Sequence, residues 1–307
     1  MTSTQPQSTP AEPAGAAHTA AEPEINRIKT AQAEGAIFDL GALACHWQPA
    51  GQEPVLWNSD PVTQGVYPTR GGVPVCFPWF AAGRSGQRKP NHGLVRTAKW
   101  KLVSCDEDTG NVTYRISSEE ADRVISAEPA YLENTSTWVA QLEVEFKDSF
   151  SVCLAVTNTG ETDFTFEAAL HTYLAVSDVR NVIVAGLEAD PYLDTTLTPP
   201  RVVKPSEGEQ APVAFGQMVD RVYESSATVR VEDPGWGRVI EVSKTGSANT
   251  VVWNPGPEAG ATTSGVGSQR WHEFVCVEAA NCKENEITVP AGGTWVMSQT
   301  LRVLPYA

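Results

Sequence analysis

Two side chains carry the clearest chemical signal in this chain. Glu278 follows the apolar run Phe274-Val-Cys-Val277 and precedes two alanines. A carboxylate in such a place is costly to bury without a partner. Desolvation would lift its pKa toward the range in which it can take and return a proton near neutral pH. A strand-end carboxylate facing water is the plainer alternative. His171, in Ala-Leu-His-Thr-Tyr-Leu, is preceded by Ala168, Ala169 and Leu170. An unperturbed imidazole pKa of ~6.5 suits a proton carrier, although a histidine among apolar neighbours is more often a satisfied core residue. Of the 5 histidines, His18 sits in the N-terminal stretch, and His46 and His272 read as structural or partly exposed. His92 remains, and it lies inside an unusual segment.

That segment is RGGVPVCFPWFAAGRSGQRKPNHGLVR, Arg70 to Arg96. No Asp or Glu occurs between Pro61 and Ser104, whereas Arg70, Arg84, Arg88, Lys89, Arg96, Lys99 and Lys101 do. Set in a chain with 37 acidic and 22 basic residues and a net charge of −15, this is a local anion-attracting field. Gly71 and Gly72 let backbone approach a ligand closely, prolines stiffen the loop, and Trp79 and Phe80 offer flat apolar surface. A run of solvated loops is the competing reading; the mixture of residue types favours a small anionic ligand.

These residues need a scaffold to hold them. Residues 1–25 are rich in Ala, Pro, Thr, Ser and Gln and cannot bury enough apolar surface to fold, so a disordered tail is expected. From Ala36 onward short β-rich runs recur, bounded by Gly, Pro and Asn. In STWVAQLEVEFK, Ala140, Leu142, Val144 and Phe146 alternate with Val139, Gln141, Glu143 and Glu145, a period of two with one buried face. About a dozen or more such runs predict an all-β chain of two packed antiparallel sheets, forming one domain over residues 26–307. Helix is expected only in EEADRVISA and in a turn near Gly260 to Trp271.

The 6 cysteines form no CxxC pair, and no histidine is spaced to complete a zinc set with Cys276 and Cys282. Cys153 and Cys276 read as small buried hydrophobes. The acidic balance excludes nucleic acid and anionic membrane as general partners. No run approaches the roughly 18 apolar residues of a spanning helix, and no signal peptide is visible. A cytoplasmic monomer acting on a small molecule is the expectation.

Four segments, Arg70-Gly-Gly-Val-Pro-Val-Cys-Phe-Pro-Trp-Phe80, His92-Gly-Leu-Val-Arg96, Ala169-Leu-His-Thr-Tyr-Leu174 and Val275-Cys-Val-Glu278, stand in a familiar order. Together they resemble the glucose-6-phosphate 1-epimerases (hexose-6-phosphate mutarotases), a branch of the aldose 1-epimerases. Gly186-Leu187 with Tyr192-Leu-Asp194, Asp220-Arg-Val-Tyr223 and Val252-Trp-Asn-Pro-Gly256 add to the likeness, which covers roughly Gly35 to Val303. The resemblance implies a galactose mutarotase-like β-supersandwich that interconverts the α and β anomers of a hexose 6-phosphate without cofactor or metal. It implies His171 as general acid, Glu278 as general base, and His92 and Asp194 as sugar-binding groups. Arg70 and Arg96 fall at its phosphate-binding positions, where guanidinium forks match phosphate oxygens. Lys89 rests on charge and spacing, with Arg84 or Arg88 as substitutes. Ala81-Ala82-Gly83 after PWF, HGLVR and EAANC depart from the usual pattern. An epimerase of unphosphorylated sugars and a non-catalytic sugar-phosphate-binding module stay open as alternatives.

Overall fold

The computed structural model describes residues 23–122, 136–205 and 211–306. The expected tail falls almost entirely outside these residues, as does the second half of EEADRVISA. Ser118–Asp122 is helical.

Two eight-stranded antiparallel sheets dominate, accompanied by a three-stranded and a two-stranded sheet. The backing sheet is built from alternating strands. In Trp138–Phe146 every second residue, from Trp138 to Phe146, is buried, and Ser149–Asn158 alternates in the same way. This is the expected period of two, with one face dry and the other wet. The site sheet runs Arg201–Val203, Tyr192–Asp194, Val219–Tyr223, Asn249–Asn254, Phe274–Asn281, Ala168–Leu170 and Val75–Cys76, with Tyr173–Ala175 also paired to Phe274–Asn281. Its central strand Phe274–Asn281 is buried at all eight positions, so it reads as a continuous apolar run interrupted by one acid.

Register sorts this sheet's side chains between two faces. Val252, Val277, Ala279 and Tyr223 join the main core shared with the backing sheet. Cys76, Ala169, Val222, Val251 and Ala280 point the other way and form a small cluster with Phe80 and Cys282. The second face carries the candidate chemistry.

Several expectations shift at their edges. The first β-rich runs form two strands, Ala33–Phe38 and Leu43–Pro49, separated where Gly41 and Ala42 adopt left-handed backbone. Ile25–Lys29 forms a further strand paired to Ala33–Phe38; its INRIK sequence, with a single buried position, hides it from hydrophobic patterning. The turn expected near Gly260 to Trp271 is helical at its two ends, Gly256–Thr262 and Trp271–Glu273.

Arg238 ties the sheets together beneath the site. Its Nη1 donates to Glu53 O at 2.8 Å, and its Nη2 donates to Pro54 O at 3.0 Å and Ala175 O at 2.9 Å. Burial pulls its pKa down to about 10, the largest cause being desolvation. Arg238→Met would strand the buried Ala175 carbonyl and release the part-buried Glu53 and Pro54 carbonyls, and an unsatisfied buried acceptor costs about 1–3 kcal/mol. The expected outcome is a fall in thermal midpoint by calorimetry; an unchanged midpoint would show the clamp to be dispensable.

Candidate active site

His171 and Glu278 are cross-strand neighbours. The pairings Leu170↔Ala279 and Tyr173↔Cys276 keep one register across the interruption at His171 and Thr172, which places His171 opposite Glu278. Directly opposed residues have Cβ atoms about 4.5–5.5 Å apart. The His171 Nδ1 to Glu278 Oε1 distance is 3.4 Å. The contact lacks hydrogen-bond alignment, and His171 Nδ1 and Glu278 Oε2 are buried polar atoms with no hydrogen-bond partner. Unsatisfied buried groups are expensive, so their presence in one spot marks a site shaped for something other than stability.

Burial sets the electrostatics. Glu278 is 1 % exposed and His171 6 %. Desolvation pushes the Glu278 carboxyl well above the usual range, Asp220 adds to the rise, and Arg96 opposes it. Desolvation also holds the His171 imidazole well below its ordinary value, helped by His92, Arg96 and Arg70. Both shifts favour the uncharged forms, a neutral imidazole beside a protonated carboxyl. A raised carboxylate is a stronger base and a depressed imidazolium a stronger acid.

His92 flanks this pair. Its ring meets that of His171 edge to face at 5.3 Å and that of Phe80 at 5.1 Å. It sits at φ +69° in the left-handed region, followed by Gly93 at φ +80°. A Cβ on Gly93 would lie 2.1 Å from Phe77 O, so only glycine permits this close crossing of the two loops. His92 Nδ1 accepts from Ala81 N–H at 3.3 Å, which fixes the neutral tautomer with Nε2 as donor. Desolvation, then Arg96, Arg70 and Lys283, push its pKa down to about 3. His92 is therefore a neutral hydrogen-bonding group rather than a proton shuttle.

The basic segment divides. Arg70 and Arg96 line one cavity of about 110 Å³ together with Tyr67, Thr69 and Pro74. Arg70 Nη1 donates to Tyr173 Oη at 2.9 Å and its Nε to Ser264 O at 3.0 Å. The Tyr173 ring stacks on His171 at 4.9 Å and 6°, so the Arg70 guanidinium and the His171–Glu278 pair are one aromatic ring apart. Lys89 does not reach this cavity; it is exposed on the outer loop. Of its possible substitutes, Arg84 pairs with Glu284 and Glu286 at 2.6 and 2.8 Å, and Arg88 lies over Trp79 at 5.4 Å. Trp79 is core, with Nε1 bonded to Pro90 O at 2.8 Å.

Asp194 is likewise placed away from the pair. Register aligns Leu193, Val222, Val251 and Glu278 on one face and puts Asp194 on the other, with Arg221. Its Oδ1 accepts from Thr196 N at 3.0 Å and Thr196 Oγ1 at 2.6 Å, an Asx-type turn. Asp220, paired through Trp253 to Cys276, shares the face of Glu278. Desolvation raises its pKa. Asp220-Arg-Val-Tyr223 has no polar–apolar alternation to sort its faces, and which residue meets Glu278 depends on pairings the sequence does not display. Lys283 was also missed; it has left-handed backbone at φ +60°, its N–H is held by Glu167 Oε1 at 2.7 Å, and its charge is felt by both His92 and Asp220. Buried Glu167 also accepts from Phe80 N–H at 3.2 Å, joining the His92 loop to the turn after the Glu278 strand.

No helix among the described residues is long and apolar enough to cross a membrane. Known proteins resemble this chain in sequence and fold. The family profile described as aldose 1-epimerase matches residues 25–302. A Salmonella typhimurium protein provisionally named a glucose-6-phosphate 1-epimerase is 34% identical over 78% of this chain and 76% of its own length. An Escherichia coli protein of the same name is 33% identical over 80% and 79%. A crystal structure of a Salmonella typhimurium protein, provisionally described as a mutarotase, superposes with a TM-score of 0.76 at 27% identity, covering 92% of this chain and 91% of that one. With its all-β architecture and a family profile spanning nearly every described residue, this chain belongs to the aldose 1-epimerase family.

Proposed function

We propose that the protein interconverts the anomers of hexose 6-phosphates, with glucose 6-phosphate as first substrate. The observation that carries this reading is the His171–Glu278 pair standing one aromatic ring from Arg70, which shares a cavity with Arg96. The relatives named for glucose-6-phosphate 1-epimerase support the phosphorylated sugar.

In the reaction Glu278 takes the proton from the C1 hydroxyl while His171 protonates the ring oxygen. The C1–O5 bond breaks, and the pair is left as neutral imidazole and protonated carboxyl. Burial favours this uncharged form in the empty site, so the shared proton must first pass from Glu278 to His171, after which ring opening returns the pair to its preferred form. Rotation about C1–C2 presents the other face of the aldehyde, and both transfers run backwards. The pair carries one proton throughout. Neutral His92 donates from Nε2 to the sugar, Asp220 rather than Asp194 accepts from ring hydroxyls, and Arg70 and Arg96 hold the phosphate.

Exchange between α and β anomers of glucose 6-phosphate, followed by NMR saturation transfer, tests the proposal. Acceleration beyond the spontaneous rate is expected, and none at enzyme concentrations in the micromolar range would refute it. The two aspartates give a finer test. Losing a hydrogen bond to a charged group costs about 1.5–3 kcal/mol, so Asp220→Asn should lower kcat/KM by about 10–150-fold, with Asp194→Asn within about threefold of wild type. The opposite ranking would return the sugar contact to Asp194.

A further inference from the structure

Cys276 has no part in the proton transfers above, yet it belongs to the same constellation. It lies two residues before Glu278 on the same face of its strand and pairs with Tyr173. An imidazole nitrogen of His171, Sγ of Cys276 and a carboxylate oxygen of Glu278 all lie within 4.8 Å of one another, and all three residues are buried. From these positions we infer that His171, Cys276 and Glu278 form an inhibitory site for a thiophilic divalent cation of the zinc and cadmium type.

The geometry supports this ion class. Metal–ligand bonds of about 2.0–2.3 Å place tetrahedral donors about 3.3–3.8 Å apart. The nitrogen–oxygen separation of 3.4 Å already meets that spacing, and the sulfur needs a shift of about 1 Å at most. Nitrogen, sulfur and oxygen donors with a fourth position left for water match the ligand types zinc accepts, and the sulfur selects against magnesium and calcium. His171 Nδ1 and Glu278 Oε2 have no hydrogen-bond partner to give up. One thiolate and one carboxylate balance a dication, the thiol proton and the pair's shared proton leaving to solvent. Arg70 and Arg96, whose fields reach the pair, oppose a cation and keep binding reversible. Cys276 and Glu278 share one strand, whereas His171 comes from the break between Ala168–Leu170 and Tyr173–Ala175, far earlier in the chain, which explains why cysteine spacing gave no sign of the set.

Binding stands on the donor set alone; inhibition rests on the proposed function. Cadmium chloride is titrated into the full chain without substrate, and thiolate-to-cadmium absorption is followed. One saturable equivalent is expected, lost in Cys276→Ser and weakened in Glu278→Gln. Cys105 and Cys153 are the half-exposed thiols, so a band undiminished in Cys276→Ser overturns the site. Should that variant not fold, His171→Ala serves the same purpose. In the exchange assay zinc should inhibit wild type, with inhibition of Cys276→Ser needing at least the about 10–100-fold more zinc that loss of even an outer-shell partner costs. Equal sensitivity of the two proteins also overturns it. A cadmium band without mutarotase activity would defeat the proposed function and leave the site standing; activity without a band would do the reverse.

Discussion

Glu278→Gln should slow α-to-β exchange of glucose 6-phosphate by about 10²–10⁴-fold, the usual contribution of a positioned proton-transfer group. Glutamine matches the shape of the carboxyl but cannot take the C1 proton. The substitution also separates catalysis from folding. Oε2 is buried without a partner, and the group is held uncharged at the cost of its natural ionisation, so an amide should leave the thermal midpoint unchanged or raise it. NMR saturation transfer reads the rate and calorimetry the midpoint. Exchange at the wild-type rate in a folded Glu278→Gln protein would remove Glu278 from the mechanism.

The proposed mechanism also sets a pH profile, because it requires one proton on His171 and Glu278 together. A second proton, added as acidity rises, leaves no base, and loss of the single proton leaves no acid. His171 is held well below 6.5, so the second proton arrives only at lower pH than an ordinary histidine would allow. The acid limb of kcat/KM is therefore expected below the ordinary imidazole range. The alkaline limb lies above the ordinary carboxylate range, because burial raises Glu278. An acid limb at or above 6.5 would contradict this assignment.

The second large effect concerns the phosphate. Arg96→Ala should reduce kcat/KM for glucose 6-phosphate by about 10–150-fold, from the about 1.5–3 kcal/mol of one charged hydrogen-bonding group, while leaving exchange of free glucose near its wild-type rate. Among the described residues Arg96 has no ion pair or side-chain hydrogen bond to lose, and it lines the cavity with Arg70. Arg70→Ala is expected to cost more. It removes the donor to Tyr173, on which His171 stacks, so both the phosphate contact and the imidazole's position suffer. Arg70→Lys keeps the charge without the fork and should recover only part of the loss. If Arg96→Ala affected glucose and glucose 6-phosphate equally, or neither, the reading as an epimerase of unphosphorylated sugars would replace the present one. Tight binding of the phosphorylated sugar with no rate change would favour a non-catalytic module.

Local signals and long-range ones fared differently. The alternation in Trp138–Phe146 was legible because burial in a sheet repeats every two residues. Glu278 was legible because a carboxylate in Phe274–Asn281 breaks an otherwise apolar run. The charge asymmetry between Pro61 and Ser104 pointed to Arg70 and Arg96, which do share a cavity. It gave Lys89, Arg84 and Arg88 the same weight, since net charge along a chain says nothing about which way a side chain turns. Arg84 is taken up by Glu284 and Glu286, 200 and 202 residues away.

The amino-acid order by itself determined that the chain forms antiparallel sheets, that one acid and one histidine sit in apolar company, and that a cationic loop accompanies them. Those properties follow from residue type and near-neighbour spacing. Only the tertiary structure decided that His171 stands opposite Glu278, that Asp220 and not Asp194 shares their face, and that Cys276 joins them. Each depends on strand register, where a shift of one residue moves a side chain to the other side of the sheet, and register is fixed by pairing between segments far apart in the chain.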